Sequence, residues 1–274
     1  MEQIKNQAQI DPVQLSDESR FDFLCDSKND CFTRCCRGLT IVLTPYDILR
    51  LKKRLGLSSG EFLSLYSVPE LLEKTDLPVP VLRMMDDAER TCPFVREDGC
   101  LVYEDRPAAC RYYPIGHGTL RPKEADQNQR FYFLVREPHC KGFAREKNWS
   151  VGEWRKDQGV DIYDDMNAGW ANLVVRKRSF PDMIKLTSEA KKMFFLGSYD
   201  LDRFRSFVFD SSFLSVYEVD AALVEAMRND DTALMKFGFD WLEGVLFKQG
   251  PVKLNAEKAQ ARMEAKHKAV NQPH

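Results

Sequence analysis

Hydrophobic and polar positions follow two different rhythms along this chain, and the change falls near residue 150. Before it, apolar residues come in short runs separated by turn formers; after it they recur at helical spacing. Leu39–Leu43 and Arg130–Arg136 are β-branched or aromatic runs that predict strands, and Val81–Met85 predicts another. Thr44-Pro45-Tyr46-Asp47 predicts a helix start: Thr44 caps, Pro45 suits the first helical position and Asp47 lies where the helix dipole favours an anion. Ile48, Leu51 and Leu55 share one face of that helix, and Gly56 ends it. Ser58 and Glu61 form a capping box that opens a second helix through Tyr66. The prolines of 68–80 predict a connector, and 121–129 a polar loop.

The second half is periodic. Ser150 and Glu153 form another capping box, ahead of a helix ending near Gln158. A longer helix is expected over 160–177, with Ile162, Met166, Trp170 and Val174 on its apolar face. Pro181 opens the next, through about Phe195. An aromatic stretch follows over 199–217, Asp220 caps 221–229, and 231–248 is the best amphipathic helix, stopped by Gly250-Pro251. The expected fold class is α+β and predominantly helical: a loop-rich, cysteine-ligated metal centre with a few short strands, followed by a helical region. The expected division is a flexible arm (1–20), a cysteine-cluster metal-binding domain (21–148), a helical region packed on it (149–252) and a loose tail (253–274).

Composition narrows the function. A net charge of −2 over 274 residues supplies no global field for nucleic acid or an anionic membrane. The Arg50, Lys52, Lys53, Arg54 run reads as a solvated helix face. The N-terminus lacks the apolar run of a signal peptide, and no segment approaches the roughly 18 apolar residues of a membrane helix. A cytoplasmic protein is expected, with an unidentified protein partner or substrate and no membrane or nucleic-acid partner. In a reducing compartment eight cysteines do not read as disulfides; clustered thiols there bind metal or do redox chemistry.

The cysteines are spaced C-x5-C-x3-C-C (Cys25, Cys31, Cys35, Cys36), then C-x7-C-x9-C (Cys92, Cys100, Cys110), then Cys140. All eight are candidate ligands. No zinc knuckle or bacterial ferredoxin spacing is present, so spacing alone does not identify the metal. All-thiolate donors select zinc, iron–sulfur or Cu(I) over hard cations. Adjacent Cys35 and Cys36 do not easily share one tetrahedral zinc; they fit better in different centres, or with one of them not a ligand. Eight thiols supply two four-cysteine sites, or one cluster plus a reactive pair. Arg34, Arg37, Arg106 and Arg111 stand beside cysteines, either favouring thiolate or pairing with Glu97, Glu104 and Asp105. His117 and His139 are lesser nitrogen-ligand candidates. Asp157, Asp161, Asp164 and Asp165 form no catalytic pattern.

Cys31-x3-Cys35-Cys36, Cys92-Pro-Phe-x4-Gly-Cys100-x-Val-Tyr-Glu-x-Arg-Pro-x2-Cys110-Arg-x-Tyr-Pro and Cys140-x-Gly, with the Leu-Thr-Pro-Tyr-Asp helix start, resemble the bacterial YkgJ-type cysteine-cluster family over about residues 21–145. The resemblance implies zinc or iron chelation by these cysteines. This chain departs from the family's tighter C-x2-C-x2-C-C at Cys25. A more distant similarity to flagellin lysine N-methylases implies an iron–sulfur-dependent methylase using S-adenosylmethionine, although no glycine-rich loop for that cofactor follows a strand. Three functions are therefore expected, in order: a metal-binding protein with an iron–sulfur cluster preferred over zinc, such a methylase, and a thiol redox sensor. No catalytic or cofactor-binding residues are assigned.

Overall fold

The computed structural model describes residues 9–11, 13–120, 129–181, 183–258 and 260–261. It is α+β, with the strands in small sheets and most helices in the second half, as expected. Strand β1 (Gln9–Ile10) lies along the segment expected as a free arm, followed by β2 (Arg20–Asp22). Helices α1 (Pro45–Leu55) and α2 (Ser59–Tyr66) lead into a hairpin of β3 (Ser67–Leu71) and β4 (Pro78–Leu82). A small hairpin, β5 (Val95–Arg96) with β6 (Gly99–Cys100), precedes the short helix α3 (Ala108–Tyr112). Strands β7 (Ile115–Leu120) and β8 (Gln129–Arg136) form the longest antiparallel pair, and β1 adds to its edge. Then come β9 (Asn148–Ser150), which pairs with β2, and helices α4 (Val151–Gln158) and α5 (Asp161–Arg178). The chain continues through α6 (Ser188–Tyr199), α7 (Leu201–Phe209), α8 (Phe213–Val216), β10 (Tyr217–Glu218), α9 (Ala221–Asn229), α10 (Asp231–Phe247) and β11 (Lys253–Leu254), which pairs with β10.

The helix starts follow local chemistry. Thr44, Ser58 and Ser150 each complete a capping box, with Asp47, Glu61 and Glu153 reaching back to the cap backbone. Asp220 accepts from Ala222 and Leu223 N–H. Other expectations shift. Residues 68–80 are not a connector but most of a hairpin, with Pro69 opposite Pro80 where neither is asked for a ladder N–H. The strand expected over 81–85 correspondingly ends at Leu82. Leu39–Leu43 is extended but touches β4 only through the Val42–Val81 bridge and two flanking hydrogen bonds. Pro181 opens no helix; α6 starts at Ser188, where the Thr187 hydroxyl accepts from Ala190 N–H. In α5 the most buried positions are Tyr163, Asn167, Leu173 and Lys177, while Ile162 is 46% exposed. The face is rotated because Asn167 is used as a polar bolt, described below. Of the polar loop expected at 121–129, residues 121–128 lie outside the described residues, as do 1–8 of the arm and 262–274 of the tail.

Two hydrophobic cores result. The larger joins α1, α2 and β4 to α5, α6, α7 and α10, with Leu43, Leu51, Phe62, Phe194, Phe204 and Leu242 fully buried. The smaller holds Phe21, Phe23, Tyr112, Ile115, Tyr132, Leu134, Val151, Trp154 and Val160. Residues 9–20 are tied to it: Leu15 bridges Tyr132, Asp11 pairs with Arg136 at 2.9 Å, and Asp17 pairs with Arg155 at 2.9 Å. No helix of the described residues is long and apolar enough to cross a membrane.

Phe204 on α7 stacks on Trp241 of α10 with ring centroids 5.4 Å apart and is wholly buried. Phe204→Ala should cost about 3–5 kcal/mol of unfolding free energy. The check is a lower denaturant midpoint at unchanged m-value; an unchanged midpoint would remove this contact from the core.

Candidate metal centre

The sequence-predicted cysteines arrive on four loop segments, and each segment is fixed by a different local device. The first carries Cys25 and Cys31. Asn29 donates from its side-chain amide to Leu24 C=O at 2.7 Å and accepts from Arg145 at 3.0 Å, which closes the loop onto residues 140–145. Lys141 N–H donates to Cys31 Sγ at 3.2 Å, and Lys141 pairs with Asp30 at 3.0 Å. Thr33 sits at φ 64°, a left-handed conformation that is costly for a β-branched residue, just before the single helical turn that presents Cys35 and Cys36.

The second segment delivers Cys92. The Arg37–Thr91 bridge and the Cys92 N–H to Cys36 C=O bond (2.8 Å) hold it against the double cysteine. The β5–β6 hairpin then presents Cys100, and Gly99 at φ 133° makes its turn, which explains the Gly-Cys step. Cys110 lies on α3, whose Ala108 N–H donates to Asp47 Oδ1 at 2.8 Å. Cys140 follows β8. The glycine of Cys140-x-Gly has a packing cause: a Cβ on Gly142 would lie 2.5 Å from the Phe23 ring.

None of the eight cysteines is in a disulfide; Cys25 is exposed and the others are half-buried. Where a thiol shift is resolved, it is upward. Burial, then Cys35, Cys140 and Cys31, push Cys25 to about 11. Cys35 is pushed up chiefly by its hydrogen bond with Cys36, then by burial and by the charges of Cys36 and Glu137. Burial, then Cys92, Asp47, Cys100 and Cys35, push up Cys110. Burial likewise raises Cys92, Cys100 and Cys140. Burial, and at Cys35 the hydrogen bond with Cys36, thus disfavours the thiolate at these six cysteines, and neighbouring thiols add to it.

The arginines take another role. Arg106 and Arg111 are buried and donate to carbonyls: Arg106 to Tyr103, Arg111 to Glu104, Arg106 and Gln158. They brace the 103–111 turn against α4 and pair with no surface carboxylate; Asp105 is taken by Arg50 and Arg54. Arg34 and Arg37 pair with Glu89. At Cys100, Arg106 and Arg96 oppose the rise. His139 rests 3.2 Å from Glu137, and His117 stacks on Tyr112 at 4.3 Å between ring centroids, on the smaller core. Asp161 and Asp164 pair with Arg155.

Sequence reasoning missed the brace under the site. Asp47 is completely buried, and its carboxylate accepts from Thr44 N–H and Ala108 N–H, both at 2.8 Å. Asn167 of α5 accepts from Tyr46 N–H and donates to Thr44 Oγ1, each at 3.0 Å. The helix-start motif signalled the first half of this network; nothing local signalled Ala108 or Asn167.

Among the described residues, no three Cys, His, Asp or Glu side chains already stand as a group that could hold a metal ion. The donor chemistry nevertheless fits a thiophilic centre. Cys35 lies within electrostatic reach of Cys25, Cys92, Cys100, Cys110 and Cys140, and a bound cation would favour their thiolate forms. The cysteine cluster is thus set on loops in a protein whose second half is largely helical. Residues 24–141 match the CxxCxxCC family, described as "Putative zinc- or iron-chelating domain", and the match runs from the residue before Cys25 to the residue after Cys140. The matched span, less than half of the chain, is similar to that family, in agreement with the YkgJ-type resemblance. No curated protein and no solved structure matches the chain.

Burial pushes the Asp47 carboxyl up to about 6, against hydrogen bonds that pull it down. A raised carboxyl favours folding when protonated. Its contribution is complete below the ordinary range near 4 and is lost as pH rises through about 6. In the metal-free protein, wild type should lose up to about 3 kcal/mol relative to Asp47→Asn between pH 4 and pH 7. Denaturant titrations at the two pH values test this, and a difference that does not change with pH contradicts it.

Proposed function

We propose that this protein binds an iron–sulfur cluster, in preference to zinc, through Cys25, Cys31, Cys35, Cys36, Cys92, Cys100, Cys110 and Cys140. The observation that carries the reading is the convergence of four separately braced loops on the Cys35–Cys36 turn. Eight thiols that include an adjacent pair suit a cluster better than a single tetrahedral zinc. Phe94 is buried beside the Cys92 and Cys100 hairpin, and Tyr113 lies against Cys140, so aromatic cover exists on both sides. Tyr112, by contrast, turns into the smaller core, and Tyr103 is 54% exposed under Arg106. When bound, a cluster supplies one-electron chemistry; the chain's own part is to hold the thiols, exclude water and set the charge around them.

Raised thiol pKa values argue against a sensor built on pre-formed thiolates, because the thiolate is the reactive form. They also predict proton release on metal binding and affinity that falls as pH falls.

Protein purified without oxygen should contain iron and acid-labile sulfide and absorb in the visible. Cys110→Ser should lower metal content and thermal stability together, since site formation is coupled to folding. Stoichiometric zinc in a colourless protein would replace the cluster by a zinc site, and metal-free protein that takes up neither would overturn the reading.

A further inference from the structure

Where α1 meets α2, α6 and α10, the packing leaves a cavity of about 10 Å³. Its lining includes Ile48, Leu49 and Lys52 of α1, Ser59 of α2, Ser198 of α6 and Met235 of α10. That is room for about one water molecule. The wall is apolar on most sides, and Lys52, Ser59 and Ser198 are its polar members.

Two of these polar groups are short of partners. Ser198 is 3% exposed, and its buried hydroxyl has no hydrogen-bond partner among the described residues. A buried polar group in that state costs folding free energy. Lys52 is 6% exposed, and its ammonium carries three donors. The Asp202 carboxylate occupies at most two of them, at 2.9 and 3.0 Å. Asp231 Oδ2, at 3.7 Å, is a charge contact and too far for a hydrogen bond. Ser59 Oγ donates to Asp200 at 2.7 Å and accepts from Asp202 N–H at 3.0 Å, which leaves it one lone pair.

We infer that the cavity is a binding site for one structural water, which accepts from Lys52 Nζ and bonds Ser198 Oγ, joining α1 to α6 by a polar bridge inside the larger core. Size and charge select water over other small ligands. The volume excludes an organic molecule. Lys52 opposes a cation, and the carboxylates of Asp200 and Asp202 beside it oppose an anion. A neutral molecule that both donates and accepts serves Lys52, Ser198 and the remaining lone pair of Ser59 together. About three such bonds are what a buried water typically makes. The bridge specifies one packing of α1 against α6, where apolar contacts alone would tolerate several. The cysteines take no part in it.

A high-resolution crystal structure of the full-length protein should show one ordered water within about 3.2 Å of both Lys52 Nζ and Ser198 Oγ. A cavity without solvent density, or a Ser198 hydroxyl bonded to a protein carbonyl instead, overturns the site. In solution, a double-mutant cycle of Ser198→Ala and Lys52→Met reads the same bridge, because the helix preference of alanine cancels in the cycle. The two substitutions should be coupled by about threefold or more in the folding equilibrium constant. Strictly additive effects contradict the bridge. The wild-type structure decides the matter even if Lys52→Met fails to fold.

Discussion

A single buried carboxylate ties the start of α1 to the short helix that carries Cys110. Asp47 closes the first turn of α1 through Thr44 and, with its other oxygen, caps α3, the helix that carries Cys110. Because it is wholly desolvated, each of those N–H donors is needed; a buried polar group left without partners costs about 1–3 kcal/mol. Asn167 then bolts the same turn to α5. The position of Cys110 is thereby set from the large core outward, not from the cysteine loops inward.

This explains why a loop-rich set of thiols can be presented by a protein that devotes its second half to helices. Loops carry little core of their own, and those bearing cysteines here are braced by residues borrowed from elsewhere: Arg145 for the first, Cys36 and Thr91 for the second, Asp47 for the third, Phe23 against Gly142 for the fourth. Arg106 and Arg111 belong to the same logic. They spend their donors on carbonyls around the 103–111 turn and on α4, and so supply rigidity more than charge.

Much of this was legible in the sequence wherever cause and effect are neighbours. The capping boxes at Ser58 and Ser150, the strand over 130–136, the α10 helix and the Asp220 cap depend on residues within a few positions, and all appear where the chain predicts them. What stayed hidden depends on distant partners. The prolines of 68–80 look like a connector until Pro69 and Pro80 are seen opposite each other. The buried face of α5 is rotated because Asn167 serves α1, which no helical periodicity in α5 reveals. The cysteines were legible as a set from their spacing and companions, while the distant residues that brace their loops, such as Arg145 and Asp47, were not.

The central claim is that thiols from all four segments ligate the same metal centre or pair of centres. X-ray absorption at the metal edge of the metal-replete protein tests it most directly. The account predicts a coordination shell of sulfur alone, near 2.3 Å whether the metal is zinc or iron. A shell dominated by nitrogen or oxygen near 2.0–2.1 Å would contradict it and hand the site to histidine and carboxylate donors.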